Sequence, residues 1–381
     1  MIAAHRYLCL HPTASLVILD RNVHVGGNWS YDRIYPGFYA QFVTGLAEFS
    51  DLKMRDPATE DCIHDCFKAM CMTEYLEEFA DRMVHGGKSL RDRLRRAEVV
   101  NVTRSNGKEN AGWELLCRDL AGHDELRTVS TDDERAYLDV RVGQFNTKLF
   151  KVQQLIICTG EFSTPNIPRF RHQSKFDAPI IHSTNFGNSD ILATPDVEYV
   201  AVLGAGKSSA DMVYACLKST PPTTKVHWII REDGTGPGFF TPIDIRTPYK
   251  NVIESANTMA MSLLQPSIFH EQGWWVWFLH QTWLGIWLVT WIFGQLDVEA
   301  KKRAGYTTRG GTCTERGFDK LDYSPGVFWM NNAGGALHHK DFWDLVASRV
   351  IVQRAHITSM SHHTLHLSND CLLYTSPSPR D

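Results

Sequence analysis

Two glycines, Gly204 and Gly206, stand between an apolar run at 198–203 and small and apolar residues at helical spacing from Ser208 to Leu217. A strand that turns tightly into a helix aims free backbone N–H groups and the positive end of the helix dipole across the turn. A pyrophosphate suits that cradle. Ser208 follows the second glycine, and Ser209 holds the place of the third glycine in the G-x-G-x-x-G pattern. A second apolar run, 225–230, ends in Arg231. An NAD site would place an acid there for the ribose 2′-hydroxyl. A guanidinium suits a 2′-phosphate, so these residues favour NADPH over NADH, a preference blunted by the adjacent Glu232.

The other reactive side chains are scattered. Nine cysteines (9, 62, 66, 71, 117, 158, 216, 313 and 371) include no C-x-x-C pair. That argues for free thiols in a reducing compartment and against a disulfide-exchanging centre. Cys62, His64, Cys66 and Cys71 lack a second ligand pair at matching spacing, so a helical, half-buried segment is expected there and no metal site. His338-His339 and His362-His363 read as surface pairs. A net charge of −4 with no basic stripe leaves no footprint for nucleic acid. Asn101-Val-Thr103 fits a glycosylation sequon that matters only in a secreted chain, and Met1 to Leu10 does not resemble a secretory signal.

With 381 residues and 43% hydrophobic content there is room for two domains. Ala3, Ala4, Tyr7 and Leu8 recur at helical spacing, and Ser15–Leu19 reads as a strand ending in Asp20. Helix, strand and acid in that order form the second half of a dinucleotide-binding unit. Gly26-Gly27-Asn-Trp29 reads as a turn, Tyr75 to Met83 as an amphipathic helix, and 99–102 and 113–117 as strands before a charged loop at 119–137. Leu155–Gly160 reads as a buried strand closed by its glycine and by Pro165 and Pro168. The second dinucleotide unit covers about 195–235.

From Gln272 to Leu296 no side chain is charged, and six of the eleven tryptophans fall there. The length meets the requirement for a membrane span, whereas tryptophan favours the interface. Three placements stay open: a helix lying on a membrane or covering the substrate pocket, a true span, or plain core. Lys301, Lys302 and Arg303 beyond it suit anionic headgroups.

In this order the motifs resemble the flavin-containing monooxygenases, the FAD- and NADPH-dependent class B type, over about residues 1–370. Asp20 falls where that family holds the FAD ribose. Gly26-Gly27-x-Trp29 resembles its turn beside the flavin, and Tyr35-Pro36-Gly37 through Asp51 the segment near the isoalloxazine. Cys158-Thr159-Gly160 resembles the crossover between domains, with Cys158 in place of alanine. Phe176-x-Ala178-x-x-x-His182-x-x-x-Phe186 resembles the family fingerprint, with Ala178 replacing a glycine.

The resemblance implies an α/β fold of two Rossmann-like dinucleotide-binding domains. An incomplete FAD domain (1–185) would carry an inserted NADPH domain (186–345) with a Trp-rich helical insertion at about 250–305. A return toward the FAD domain (346–370) would follow. It implies FAD and NADPH as cofactors, bound by Asp20, Gly26, Gly27, Trp29, Thr159, Gly160, Gly204, Gly206, Ser208, Ser209 and Arg231. Gln41, Thr44 and His182 are candidates near the flavin or nicotinamide. One oxygen of O2 would pass through a flavin C4a-hydroperoxide to a nitrogen or sulfur of a small lipophilic substrate. Baeyer–Villiger oxygenation of ketones is the alternative, and Phe186 leans slightly against it. The expected setting is the cytoplasm or a membrane face turned to the cytosol. The glycine loop that seats the FAD pyrophosphate is absent ahead of residue 1, and 371–381 does not continue the strand pattern and is expected outside the fold. An inactive NADPH-binding fragment is therefore the other reading.

Overall fold

In the computed structural model the described residues are 1–105, 112–120, 146–160, 165–189, 197–233, 240–245, 247–266, 273–323 and 335–374. The first unit begins with helix α1 (Ile2–Leu10) and strand β1 (Ile18–Asp20). Strand β2 (Tyr39–Val43) pairs with the hairpin β3 (Cys62–Ile63) and β4 (Cys66–Lys68). The expected helix at 62–71 is corrected here. His64 and Asp65 both take positive φ, a two-residue hairpin turn, and only Cys71 lies on a helix, α2 (Ala69–Arg82). Met72, Tyr75 and Phe79 repeat at i, i+3 and i+7 and bury that helix against Leu8, Leu52 and Leu90.

A short hairpin, β5 (Val84–His85) and β6 (Lys88–Ser89), precedes β7 (Leu94–Arg104), β8 (Trp113–Asp119) and β9 (Thr147–Val152). The sheet order is β1-β7-β8-β9, parallel at β1–β7 and antiparallel beyond. Most of the charged loop lies outside the described residues. Leu155–Gly160 is not the buried strand expected. It follows β9 as irregular backbone, with Ile156 and Ile157 at 51% and 72% exposure. An apolar run becomes a buried strand only against a neighbouring ladder, and no described strand pairs with it.

The second unit is a parallel sheet in the order β10 (Tyr199–Leu203), β11 (Lys225–Ile230), β14 (Val350–Arg354). Helix α3 (Lys207–Ser219) connects the first two strands and buries Ala210, Val213 and Leu217 over β11. The central strand β11 splits its faces. Val226, Trp228 and Ile230 point into the main core with Phe240, Tyr306 and Trp343, while Ile229 enters a smaller cluster with Ala355 and Leu365. Strand β10 was expected to be buried. Among the described residues it is an edge strand, packed on one face, with Leu203 41% exposed.

Between β11 and β14 the chain makes β12 (Phe240–Pro242) and helices α4 (Trp274–Gln281) and α5 (Trp283–Ala304). Strand β13 (Gly335–Leu337), parallel to β12, and helix α6 (Phe342–Arg349) follow. The expected return at 346–370 is corrected in part, because Val350–Arg354 completes the second sheet. An antiparallel meander follows: β15 (Ile357–Ser361), β16 (Thr364–Leu367) and β17 (Leu372–Tyr374). It packs on Phe170, Phe176 and Ile180. Strand pairing thus continues through Tyr374, contrary to expectation, and 375–381 lies outside the described residues.

No single helix among the described residues is long and apolar enough to cross a membrane; α4 and α5 meet at an 81° bend. Gly285 makes the bend, since a Cβ there would lie 2.0 Å from the Phe278 carbonyl oxygen. His338 and His339 are not surface residues. His338 is 4% exposed, and the His339 ring stacks on Tyr214 at 4.0 Å. Both follow directly on the buried end of β13, which carries them inward. His362 lies at the surface, ion-paired with Asp177.

Candidate functional site

Strand β10 runs into Gly204, whose φ of +119° opens the turn, and Gly206 starts helix α3 with no side chain capping its first turn. A Cβ on Gly206 would meet nothing within 4 Å, so the approach to the helix end is open. Trp228 donates from Nε1 to the Gly204 carbonyl at 2.7 Å, fixing the turn to the sheet from below. Ser208 is exposed at the mouth, whereas Ser209 is buried and donates to the Gly206 carbonyl at 2.6 Å. Leu203 pairs with Ile229 in parallel register, and the Gly204 amide donates to the Ile229 carbonyl at 3.0 Å. Arg231, two residues further on, therefore leaves the end of β11 beside the turn, exposed.

The mouth is completed by Tyr35 and by two residues the sequence reading did not single out, Lys207 and Asp211. Lys207 ion-pairs with Asp211 one helical turn later, and Tyr35 donates its hydroxyl to Asp211 at 3.0 Å. Burial beside this carboxylate pushes the Tyr35 phenol well above its usual range, so it stays a proton donor. The i,i+4 spacing of Lys207 and Asp211 was the available signal. Tyr35 stacks on Phe38, Phe38 stacks on Trp29, and Phe186 meets Tyr35 edge-on at 5.7 Å. Trp29 and the fingerprint segment are thus joined across one aromatic wall.

Gln41 lies beside Lys207 at this mouth. Its Oε1 accepts from the Ala336 amide at 2.7 Å, tying β2 to β13. A Cβ on Gly335 would lie 2.9 Å from the Lys207 stem and 3.2 Å from Gln41 Nε2, so Gly335 is what lets these two side chains approach. His338 donates from Nε2 to the Ala40 carbonyl at 3.3 Å, a second tie between the units, and burial lowers its pKa to about 3. Thr44 stands past the end of β2, its amide on the Asp65 carbonyl at 3.4 Å, away from this tie. His182 caps its own short helix, accepting from the Thr184 amide at 3.2 Å; that bond gives it a structural duty.

The other nucleotide residues converge less completely. Asp20 ends β1 and accepts from the Asn22 amide at 2.9 Å. It is close enough to the Met1 amine, at the head of α1, to influence its protonation, as is Cys158. Gly26 and Gly27 both take positive φ ahead of Trp29, and Gly26 packs on Leu76. Thr159 and Gly160 are exposed on the irregular segment, Gly160 at φ +73°. The strand end, the helix head and the 155–160 segment are brought together, without a ladder joining the last.

Comparison with known proteins follows the same line. Residues 96–258 match the family model of L-lysine 6-monooxygenase/L-ornithine 5-monooxygenase. An FAD-dependent monooxygenase of Pyrenophora dematioidea is 29% identical over 95% of this chain and 62% of its own length. The chain is thus similar to FAD-dependent monooxygenases along most of its length. Another FAD-dependent monooxygenase, from Aspergillus sclerotiorum, is 27% identical over 95% of the chain and 58% of its own length. The chain therefore spans about three-fifths of the curated relatives it matches. Among solved structures, the Kutzneria sp. 744 ornithine N-hydroxylase is 14% identical over 95% of this chain and 72% of its own, with a TM-score of 0.46. The fold assignment rests on the sheet order itself.

Proposed function

We propose that the protein is an FAD- and NADPH-dependent monooxygenase that places one oxygen atom of O2 on the nitrogen or sulfur of a small lipophilic molecule. The observation that carries this reading is the open, uncapped head of α3 at Gly206 with Arg231 beside it. Residues 204–208 would hold the NADPH pyrophosphate on backbone N–H groups, and Arg231 the 2′-phosphate. Asp20 would hold the FAD ribose, with Gly26, Gly27 and Trp29 beside the ring system. When bound, these cofactors supply hydride transfer and O2 activation, the hard chemistry of the reaction. The wall of Trp29, Phe38, Tyr35 and Phe186 excludes water, and Tyr35 keeps its proton on Asp211. Gln41 and Lys207 present an amide and an ammonium where the two units meet. Because the matching family model is one of lysine and ornithine oxygenation, an amine nitrogen is the favoured acceptor.

The test is direct. Purified protein supplied with FAD should bind NADPH more tightly than NADH and convert an amine or sulfide to its oxygenated product with NADPH consumption. Ester formation from a ketone with no amine or sulfide product would overturn the assignment of acceptor. Equal affinity for the two nucleotides would overturn the role of Arg231.

The reading extends to a lipid surface. On α5, Trp283, Trp287 and Trp291 recur every four residues at 52–81% exposure. Val298 and Lys302 continue that face at 100° per residue. Gly285, Val289, Phe293, Ala300 and Ala304 occupy the opposite, buried face. A helix apolar on both sides needs cover on both. Indole rings favour the bilayer interface, and the lysine at the end of the stripe suits headgroups. Co-sedimentation with phosphatidylcholine–phosphatidylserine vesicles should fall at least ~tenfold when Trp283, Trp287 and Trp291 become serine. NADPH binding should be unchanged. Equal sedimentation of both proteins would refute it.

A further inference from the structure

On α1, His5 and Cys9 stand at i and i+4, the spacing that puts two side chains on one helical face. His85 closes β5 just before Gly86 and Gly87, both at positive φ, so the hairpin turn delivers its ring back onto that face. The His5 Nδ1 and His85 Nε2 atoms are 3.0 Å apart, and Cys9 Sγ is 3.7 Å from His5 Nε2. One ligand atom from each of the three lies within 4.8 Å of the others. Two nitrogens on a tetrahedral zinc ion, each about 2.0–2.1 Å from it, sit about 3.3 Å apart. The ring pair must open by a few tenths of an ångström and turn so that both nitrogen lone pairs meet at the ion.

The geometry points to a divalent-cation site, fitted to Zn2+, formed by His5, Cys9 and His85. It is a site separate from the nucleotide cradles and from the Cys62–Cys71 cluster, where no metal was expected. An independent feature supports it. Asp51 places a carboxylate oxygen 3.6 Å from His5 Nε2. A carboxylate beside a metal-binding histidine characteristically orients its ring and raises its basicity. Arg6 ion-pairs with the same Asp51 at 2.8 Å and fixes it in place. His5 is 7% exposed and packs edge-on against Phe79, so its ring is held by the core, while the exposed Cys9 leaves the fourth corner to water. Binding balances simply. The Cys9 thiol loses its proton to solvent as the metal–thiolate bond forms, the two imidazoles coordinate neutral, and the proton they share moves to an outward nitrogen. The ion would staple α1 to the β5–β6 hairpin.

Co2+ is the probe, because a thiolate–cobalt bond gives a near-ultraviolet charge-transfer band. The full chain, stripped with chelator and titrated with Co2+, should develop that band at one ion per chain and lose it on addition of Zn2+. Cys9→Ser should abolish the band, and Cys62→Ser should leave it intact. His85→Gln should weaken Co2+ binding by at least ~tenfold, and Asp51→Asn by about ten- to a hundredfold through loss of ring orientation. Circular dichroism verifies that each variant is folded; should Cys9→Ser not fold, His85→Gln decides the matter. No band with the folded wild-type chain, an undiminished band in Cys9→Ser, or undiminished affinity in His85→Gln would overturn the assignment.

Discussion

Mild acid should destabilise this protein, with two buried histidines carrying much of the effect. His227, 7% exposed on β11, and His338, 4% exposed after β13, have pKa values lowered by burial to about 4 and about 3, from 6.5. The unfolded chain binds a proton at each below pH 6.5, whereas the native chain does so only near pH 4 and pH 3. The unfolded state therefore holds more protons throughout that window, and stability falls as pH falls. At pH 5 the difference is close to 1.5 pH units for each histidine, or about 2 kcal/mol each at ~1.4 kcal/mol per unit. Together they remove about 4 kcal/mol, a large share of the 5–15 kcal/mol typical of folded domains. Carboxylates titrate lower, so the span from pH 6.5 to pH 5 belongs to histidine. Urea unfolding followed by tryptophan fluorescence should show stability dropping by about 2 kcal/mol per pH unit there. His338→Gln, whose amide can still donate to the Ala40 carbonyl, should reduce that slope, and His339 and His85, also lowered by burial, should keep part of it. A wild-type stability that changes by less than ~0.5 kcal/mol between pH 7 and pH 5 would refute the reasoning.

Three further outcomes bear on the cradle. Arg231→Ala should weaken NADPH binding about ten- to a hundredfold, the worth of charge-assisted bonds of ~1.5–3 kcal/mol, and leave NADH binding unchanged by calorimetry. Gly335→Ala should drive the new methyl into the Lys207 stem, lower stability by about 1–3 kcal/mol and reduce NADPH affinity. Full retention of both by thermal melt and titration would contradict the packing described. Trp228→Phe keeps most of the buried ring but strips the Gly204 carbonyl of its donor, so a loss of about 1–3 kcal/mol is expected in chemical denaturation.

What could be read from the residues was what depends on neighbours in sequence. The Gly204 turn, α3 and Arg231 are local signals, and parallel register carried them into place. The Asp20 strand end and the α2 stripe were legible for the same reason. Contacts made at a distance were not. Leu155–Ile157 has the composition of a buried strand, yet a strand is defined by a partner, and composition names none. His338 looked like a surface residue because its burial depends on Ala40, almost three hundred positions earlier. Gln41 was named for its nearness to the flavin segment, but its bond to Ala336 is a tertiary fact with no local trace. The hairpin at Cys62–Cys66 was missed because His64 and Asp65 make its turn without glycine.

The strand order of the second unit also governs how the chain is made. Strand β11 gains its first neighbour, β10, at once, but its other edge waits for Val350–Arg354, roughly 120 residues later. At about 5–20 residues per second on the ribosome, that edge stays open for roughly 6–24 seconds. During that interval Trp228 and Ile230 lack much of the core that later covers them, and the strand offers an unpaired ladder to any passing chain. Yield on expression should thus depend on chaperone supply and on the concentration of unfinished chains more than on the equilibrium stability of the finished fold.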